Sequence, residues 1–166
     1  MAKPETTVQK FLREQYNYTK VFGVGLLADF EGPQAESRFD FYNKIGTAIK
    51  SLEKRLFLPH VEVPEDWGPK KVYDIVNEIV VPSLDLALFY GGLASADTGM
   101  MLQRATREGI PVICFYEKER ADQVATLTRD LTTCVDTIIF EDETRGIERL
   151  KEAVAKFYKN SIVDFI

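Results

Sequence analysis

The sequence predicts an α/β domain built on a five-stranded, parallel, doubly wound sheet, and three observations predict it. Five short apolar runs recur along the chain, starting near residues 20, 56, 84, 110 and 135. Segments with apolar residues every three or four positions separate them, and strands that alternate with helices pair in parallel with helices on both faces. The third observation is size: 166 residues, 45% hydrophobic and 28% charged, suit a single compact core.

Residues 1–19 carry Val8, Phe11, Leu12 and Gln15-Tyr16 at helical spacing and read as a short amphipathic arm ahead of a single domain spanning 20–166. KVFGVGLLAD (20–29) is the first strand, with Gly23 and Gly25 permitting close backbone approach before the loop from Asp29 to Pro33. Ala35, Phe39, Tyr42, Ile45, Ile49 and Leu52 mark an amphipathic helix over 34–55. LFLPHV (56–61) is the second strand, and a loop containing Pro and Trp follows. Val72, Ile75, Val76, Ile79 and Val80 form the next helix, which Pro82 is expected to stop. LDLALFYG (84–91) is the third strand. Asp97 or Thr98 caps a helix that runs to about Glu108 and ends at Gly109. IPVICFY (110–116), a helix over 121–131, VDTIIFED (135–142) and a helix over 143–158 complete a flavodoxin-like three-layer sandwich.

A net charge of −5 and a pI near 5.0 exclude a general nucleic-acid surface, which needs clustered and uncompensated Lys and Arg. Cys114 and Cys134 have no metal or disulfide spacing and read as buried, inert thiols. The polar start MAKPETTVQKFLREQ has no apolar leader region, and no run is long enough to span a bilayer, so a cytoplasmic protein without membrane attachment is expected.

In doubly wound sheets, ligands collect beyond the carboxyl ends of the strands. That directs attention to the loops at 25–33, 60–69, 90–99 and 116–122. GGLASADTG is the richest: Ser95, Asp97, Thr98 and Gly99 open a helix whose free N–H groups suit a phosphate or a ribose hydroxyl. Gly23-x-Gly25 lacks the third glycine of a dinucleotide turn, and no GK[ST] is present. Phe89-Tyr90 and Phe140-Glu141 stand where a receiver domain needs an acid and a lysine. Phe22, Phe39, Phe41 and Tyr42 are core aromatics by their density, and Arg38 and Arg129 read as solvated charges.

Six segments in order, VFGVG, FYNKI, PHV, YDIVNEIVVPSLDLALF, SADTGMMLQRA-x3-GIPVICFY and VATLTRD, resemble the nucleoside 2-deoxyribosyltransferase superfamily. Within it they are most similar to the 2′-deoxynucleoside 5′-phosphate N-hydrolases. The resemblance spans about residues 20–158 and implies a nucleoside or nucleotide ligand, a homodimer and no metal or cofactor. In that family a helix glutamate attacks the anomeric carbon, and an aspartate of the preceding helix assists. Those positions fall on Met101 and Asn77, so both carboxylates are missing. The resemblance also places Gly25 at a sugar-phosphate loop, Ser95 at a phosphate-binding serine and His60 at the pocket wall. Ala125 stands where the hydrolases have a serine offered by a second subunit.

A thioether cannot form a glycosyl ester, and an amide neither takes nor gives a proton near neutral pH. The expected function is therefore nucleoside or nucleotide binding without the standard glutamate-dependent N-glycosidic cleavage. The alternatives are an active N-glycosidase or deoxyribosyltransferase with its carboxylates relocated to Asp97 and Glu78, and a ligand-free structural dimer. Asp97 is better used as a cap, and Glu78 points about 100° away from Asn77 on a helix.

Overall fold

The computed structural model of the protein describes residues 4–93, 95–128 and 131–163, with side chains except at 125–128, 162 and 163. The elements in chain order are α1 (Thr7–Tyr16), β1 (Val24–Leu27), α2 (Pro33–Glu36), α3 (Phe39–Lys50), β2 (Leu56–Phe57), α4 (Pro59–Glu62) and α5 (Pro69–Ile75). A π-helical turn (Val76–Val80) leads into α6 (Val81–Ser83). Then follow β3 (Leu86–Tyr90), α7 (Ala96–Arg107), β4 (Val112–Glu117), a 3-10 turn (Lys118–Arg120), α8 (Ala121–Thr128), β5 (Cys134–Phe140) and α9 (Glu143–Val163). The sheet is parallel throughout in the order β2-β1-β3-β4-β5, the flavodoxin-like α/β arrangement that alternating strands and helices imply.

Both faces are covered. On one, Leu27, Ala87, Phe89 and Cys114 pack under Leu12, Ile75, Ile79, Met101 and Ala105. On the other, Leu26, Leu88, Ile113 and Phe115 pack under Phe41, Tyr42, Ile45, Ile49, Leu150 and Val154. Phe22, Phe41 and Tyr42 are core residues, as their density implies. The segment before β1 is a helix with a Thr6–Gln9 capping box, and its Leu12 is buried in the first of these cores. Tyr16 Oη donates to Asp74 Oδ2 at 2.5 Å, which ties α1 to α5. No helix among the described residues is long and apolar enough to cross a membrane.

Several elements differ from the sequence reading for identifiable reasons. The second strand has only two residues, because Pro59 supplies the first turn of α4 and holds Leu58 extended before it. The helix expected over 34–55 is two. Ser37 Oγ donates back to the Gln34 carbonyl at 2.6 Å, and Arg38, the N-cap of α3, sends its guanidinium to Glu117. Pro82 does not stop its helix: the chain stays helical to Ser83. The preceding turn widens so that the Val81 N–H reaches the Val76 carbonyl, which accommodates a residue that lacks the N–H for an i−4 bond and whose ring crowds the turn before it. The cap of α7 is Ser95, whose Oγ accepts from the Thr98 N–H at 3.4 Å, and Asp97 sits in the first turn instead. Gly109, with φ +70°, follows the end of that helix as expected. Cys114 is buried, but Cys134 is only half-buried, with 3.7 Å between the two sulfurs.

Gly25 has a packing reason to be glycine. A Cβ there would lie 2.5 Å from Leu84 Cδ1 and 3.1 Å from Cδ2. Gly25→Val is expected to lower stability in urea by about 1–3 kcal/mol through overpacking. Gly68→Ala, which adds its methyl to open space at φ −68°, should change it little. Equal midpoints for the two variants would overturn this account.

Candidate functional site

The loop after β1 and the N-terminus of α7 meet at the carboxyl ends of neighbouring strands, where successive crossovers leave the sheet in opposite directions. Asp29 joins them. One carboxylate oxygen, Oδ1, accepts from both Ser95 Oγ and Thr98 Oγ1, and the Thr98 side chain is fully buried. Ser95 thus has two partners, Asp29 and the Thr98 N–H.

Two adjoining cavities open beside this knot. The first, of about 180 Å³, lies between the loop after β1, the helix starting at α5, and α7. Val72, Tyr73, Val76 and Asn77 face it at helical spacing, and Asp97, Met100 and Met101 face it from α7 at i, i+3 and i+4. Trp67 and Phe30 add aromatic wall. The second, of about 200 Å³, is lined by Ala28, Asp29, Phe30, Glu31, Ser95 and Asp97. The two share Phe30, Glu31 and Asp97. The floor is apolar, with Met101 only 2% exposed, whereas Met100 (44%) and Tyr73 (42%) leave apolar surface uncovered at the mouth. Asn77 Oδ1 is buried and has no hydrogen-bond partner among the described residues. Such an oxygen costs about 1–3 kcal/mol, which a donor from a ligand would offset.

The cleft therefore brings together Asn77, Ser95, Asp97 and Met101 of the sequence-derived residues. Thr98 supports it from behind, and Gly99 belongs to the same first turn of α7. Glu78 lies elsewhere: it pairs with Arg104 at 3.3 and 3.5 Å, on the seam between the π turn and α7. Of the two fallback carboxylates only Asp97 faces the cleft. Gly25 is held by Leu84, within the strand. Gly23 sits at the opposite, amino-terminal end of the sheet, where its N–H donates to the Arg55 carbonyl and its carbonyl accepts from the Asp85 N–H. Arg129 lies outside the described residues, as does the side chain of Ala125.

His60 follows β2 at the edge of the sheet and is among the described lining residues of neither cavity. Its ring stacks on Phe39 at 4.6 Å, Nε2 lies 2.7 Å from Asn43 Oδ1, and Nδ1 is buried without a partner among the described residues. With Asn43 Oδ1 as acceptor, the proton sits on Nε2. Burial holds the imidazole pKa below its ordinary value. The unfolded chain then takes up the proton first. The stability His60 contributes is present above about pH 6.5 and is lost as pH falls through that value towards the folded pKa. His60→Gln is expected to flatten the fall in melting temperature between about pH 7 and 5.5; an unchanged slope would refute the assignment.

Sequence reasoning missed Asp29, Phe30, Glu31 and Trp67, all in loops and without periodicity. Asp29 was legible in principle as the residue that ends the first strand. It also missed the role of Arg38, which is not a solvated charge. Its guanidinium lies 3.0 Å from Glu117 and 3.7 Å from Glu143, with its carbon 4.5 Å from the centre of the Phe41 ring. Tyr90 Oη donates to the same Glu117 oxygen, and burial followed by that carboxylate pushes the Tyr90 pKa up.

No family model matches the sequence, and no curated protein matches it. Among solved structures, the fold is similar to that of the CMP N-glycosidase BcmB of Clostridium botulinum, at a TM-score of 0.61 and 16% identity, over 78% of this chain and 98% of that one. At this identity the likeness is one of fold.

Proposed function

We propose that this protein binds a nucleoside or nucleotide in the cleft between the loop after β1, the helix starting at α5, and α7, and that it does so without the glutamate-dependent cleavage of an N-glycosidic bond. One observation carries the reading: Asn77 and Met101 face the same cavity, the amide oxygen buried and unpartnered, the thioether in the apolar floor. An amide and a thioether offer hydrogen bonding and contact area, but neither proton transfer nor an oxygen nucleophile. The fold shared with a CMP N-glycosidase supports the class of ligand. Trp67, Phe30 and Tyr73 supply aromatic surface for a base, and Ser95, Asp97 and the first turn of α7 supply polar contacts for a sugar.

The test is a thermal-shift screen of nucleosides and nucleotides, each hit then being incubated overnight and analysed for free base. A raised melting temperature with the ligand recovered intact is the expected result. No shift with any member of the panel would sink the binding function. A second reading has one observation in its favour, since Asp97 lies in both cavities with Glu31: base release abolished by Asp97→Asn would establish a glycosidase with a relocated carboxylate. We further propose a homodimer formed through the helices that wall the cleft, whose Tyr73 and Met100 stand exposed. Sedimentation at monomer mass over the micromolar range would contradict it.

A further inference from the structure

We infer that the ligand of this cleft is an uncharged nucleoside rather than its 5′-phosphate, an inference that rests on the cleft being a nucleoside or nucleotide site. Among the described residues no Lys, Arg or His lines either cavity, whereas Asp29, Glu31 and Asp97 do. The N-terminus of α7 is where free N–H groups and the helix dipole favour an anion. That position already has an anion of the protein's own. Asp29 accepts both hydroxyls of Ser95 and Thr98, and Ser95 Oγ also takes the Thr98 N–H. A phosphate seated on these groups would have to displace a tethered carboxylate. Seated beside them, it would face like charge from Asp29, Glu31 and Asp97.

The surrounding cations are committed elsewhere. Arg38 is held by two carboxylates, its guanidinium 3.0 Å from Glu117 and 3.7 Å from Glu143. Arg104 lies between Glu78 and Glu108. Lys71 rests its ammonium 4.9 Å from the centre of the Trp67 ring and 5.8 Å from that of Tyr16, and is not among the lining residues. Sugar hydroxyls are donors as well as acceptors, and carboxylates accept from them without a charge penalty. The free Asn77 Oδ1 likewise calls for a donor, such as an amino or imino group of a base. The wall is thus matched to a neutral ligand rich in donors.

The experiment is calorimetric titration of the full chain with matched pairs that share a base, each nucleoside against its 5′-monophosphate. It is run at about 0.05 and about 0.5 M salt, for the wild type and for the double variant Glu31→Gln, Asp97→Asn. At least one nucleoside is expected to bind, with its monophosphate weaker by roughly tenfold or more at low salt, equivalent to about 1.4 kcal/mol. Salt and the double variant should each narrow that ratio. A monophosphate that binds as tightly as its nucleoside overturns the inference and leaves the nucleotide-binding function standing. Binding of neither overturns both. A preference for the nucleoside that changes with neither salt nor the variant removes electrostatics as its cause and overturns the inference on that ground.

Discussion

Replacing Met101 by glutamate together with Asn77 by aspartate is expected to turn binding into cleavage, raising the release of free base from a bound nucleoside on the order of 10²- to 10⁴-fold over the wild type. Both side chains face one cavity from opposite helices, so the new carboxylates would flank a ligand held between them. One carboxylate oxygen would bond to the anomeric carbon as the N-glycosidic bond breaks. The base would leave with the electron pair and take a proton, and water would then hydrolyse the glycosyl ester. The change has a cost in stability, because Met101 is buried in the apolar core that also holds Val76, Leu102 and Ala105. A glutamate there is expected to destabilise the fold by about 2–4 kcal/mol. Quantifying free base by chromatography and melting by calorimetry checks both parts. A double variant that stays folded and binds, yet releases no more base than the wild type, would refute the idea that the cleft is a glycosidase site stripped of its carboxylates.

The second large effect is structural. Asp29→Ala removes the acceptor of two hydroxyls, one of them on a fully buried threonine. Hydrogen bonds to a charged acceptor contribute about 1.5–3 kcal/mol each, and partial exposure of Asp29 argues for the lower end. A loss of about 2–3 kcal/mol is expected, or roughly 4–12 °C in melting temperature for a chain of this size. Asp29→Asn keeps an acceptor oxygen and should lose about half as much. If Asp29→Ala melts with the wild type, Asp29 does not hold the loop after β1 to α7.

The sheet was legible because its information is local. The central strands are runs of apolar residues, as in LALFY and VICFY, and a strand buried on both faces needs no partner to be recognised. The apolar faces of α3, α7 and α9 were legible for the same reason. The failures share a different cause. Whether Leu58 continues a strand depends on the proline after it, and whether Pro82 ends a helix depends on the turn before it. At the break between α2 and α3, Arg38 reaches Glu117, a partner 79 positions away. In the site, residues with helical spacing such as Asn77 and Met101 could be placed on a face from sequence. Asp29 could be placed at the end of the first strand but its role could not be read, because it acquires that role only when β1 and β3 pair and bring Ser95 to it.

The π turn at Val76–Val80 has a consequence for how this chain is compared with others. A helix that contains an i→i+5 turn holds one residue more than an uninterrupted helix of the same path, so the two can be superposed only with a one-position gap. If that gap is set before residue 77, a given position of the uninterrupted helix pairs with the carboxylate of Glu78. If it is set after, the same position pairs with the amide of Asn77. String matching would thus pair that position with an acid or with an amide according to where an insertion is drawn. The coordinates separate the two, since Asn77 faces the cavity while Glu78 is tied to Arg104 on the seam with α7. Spatial superposition of the turn, rather than letter-by-letter correspondence, is the proper basis for comparing this helix with others of the same fold.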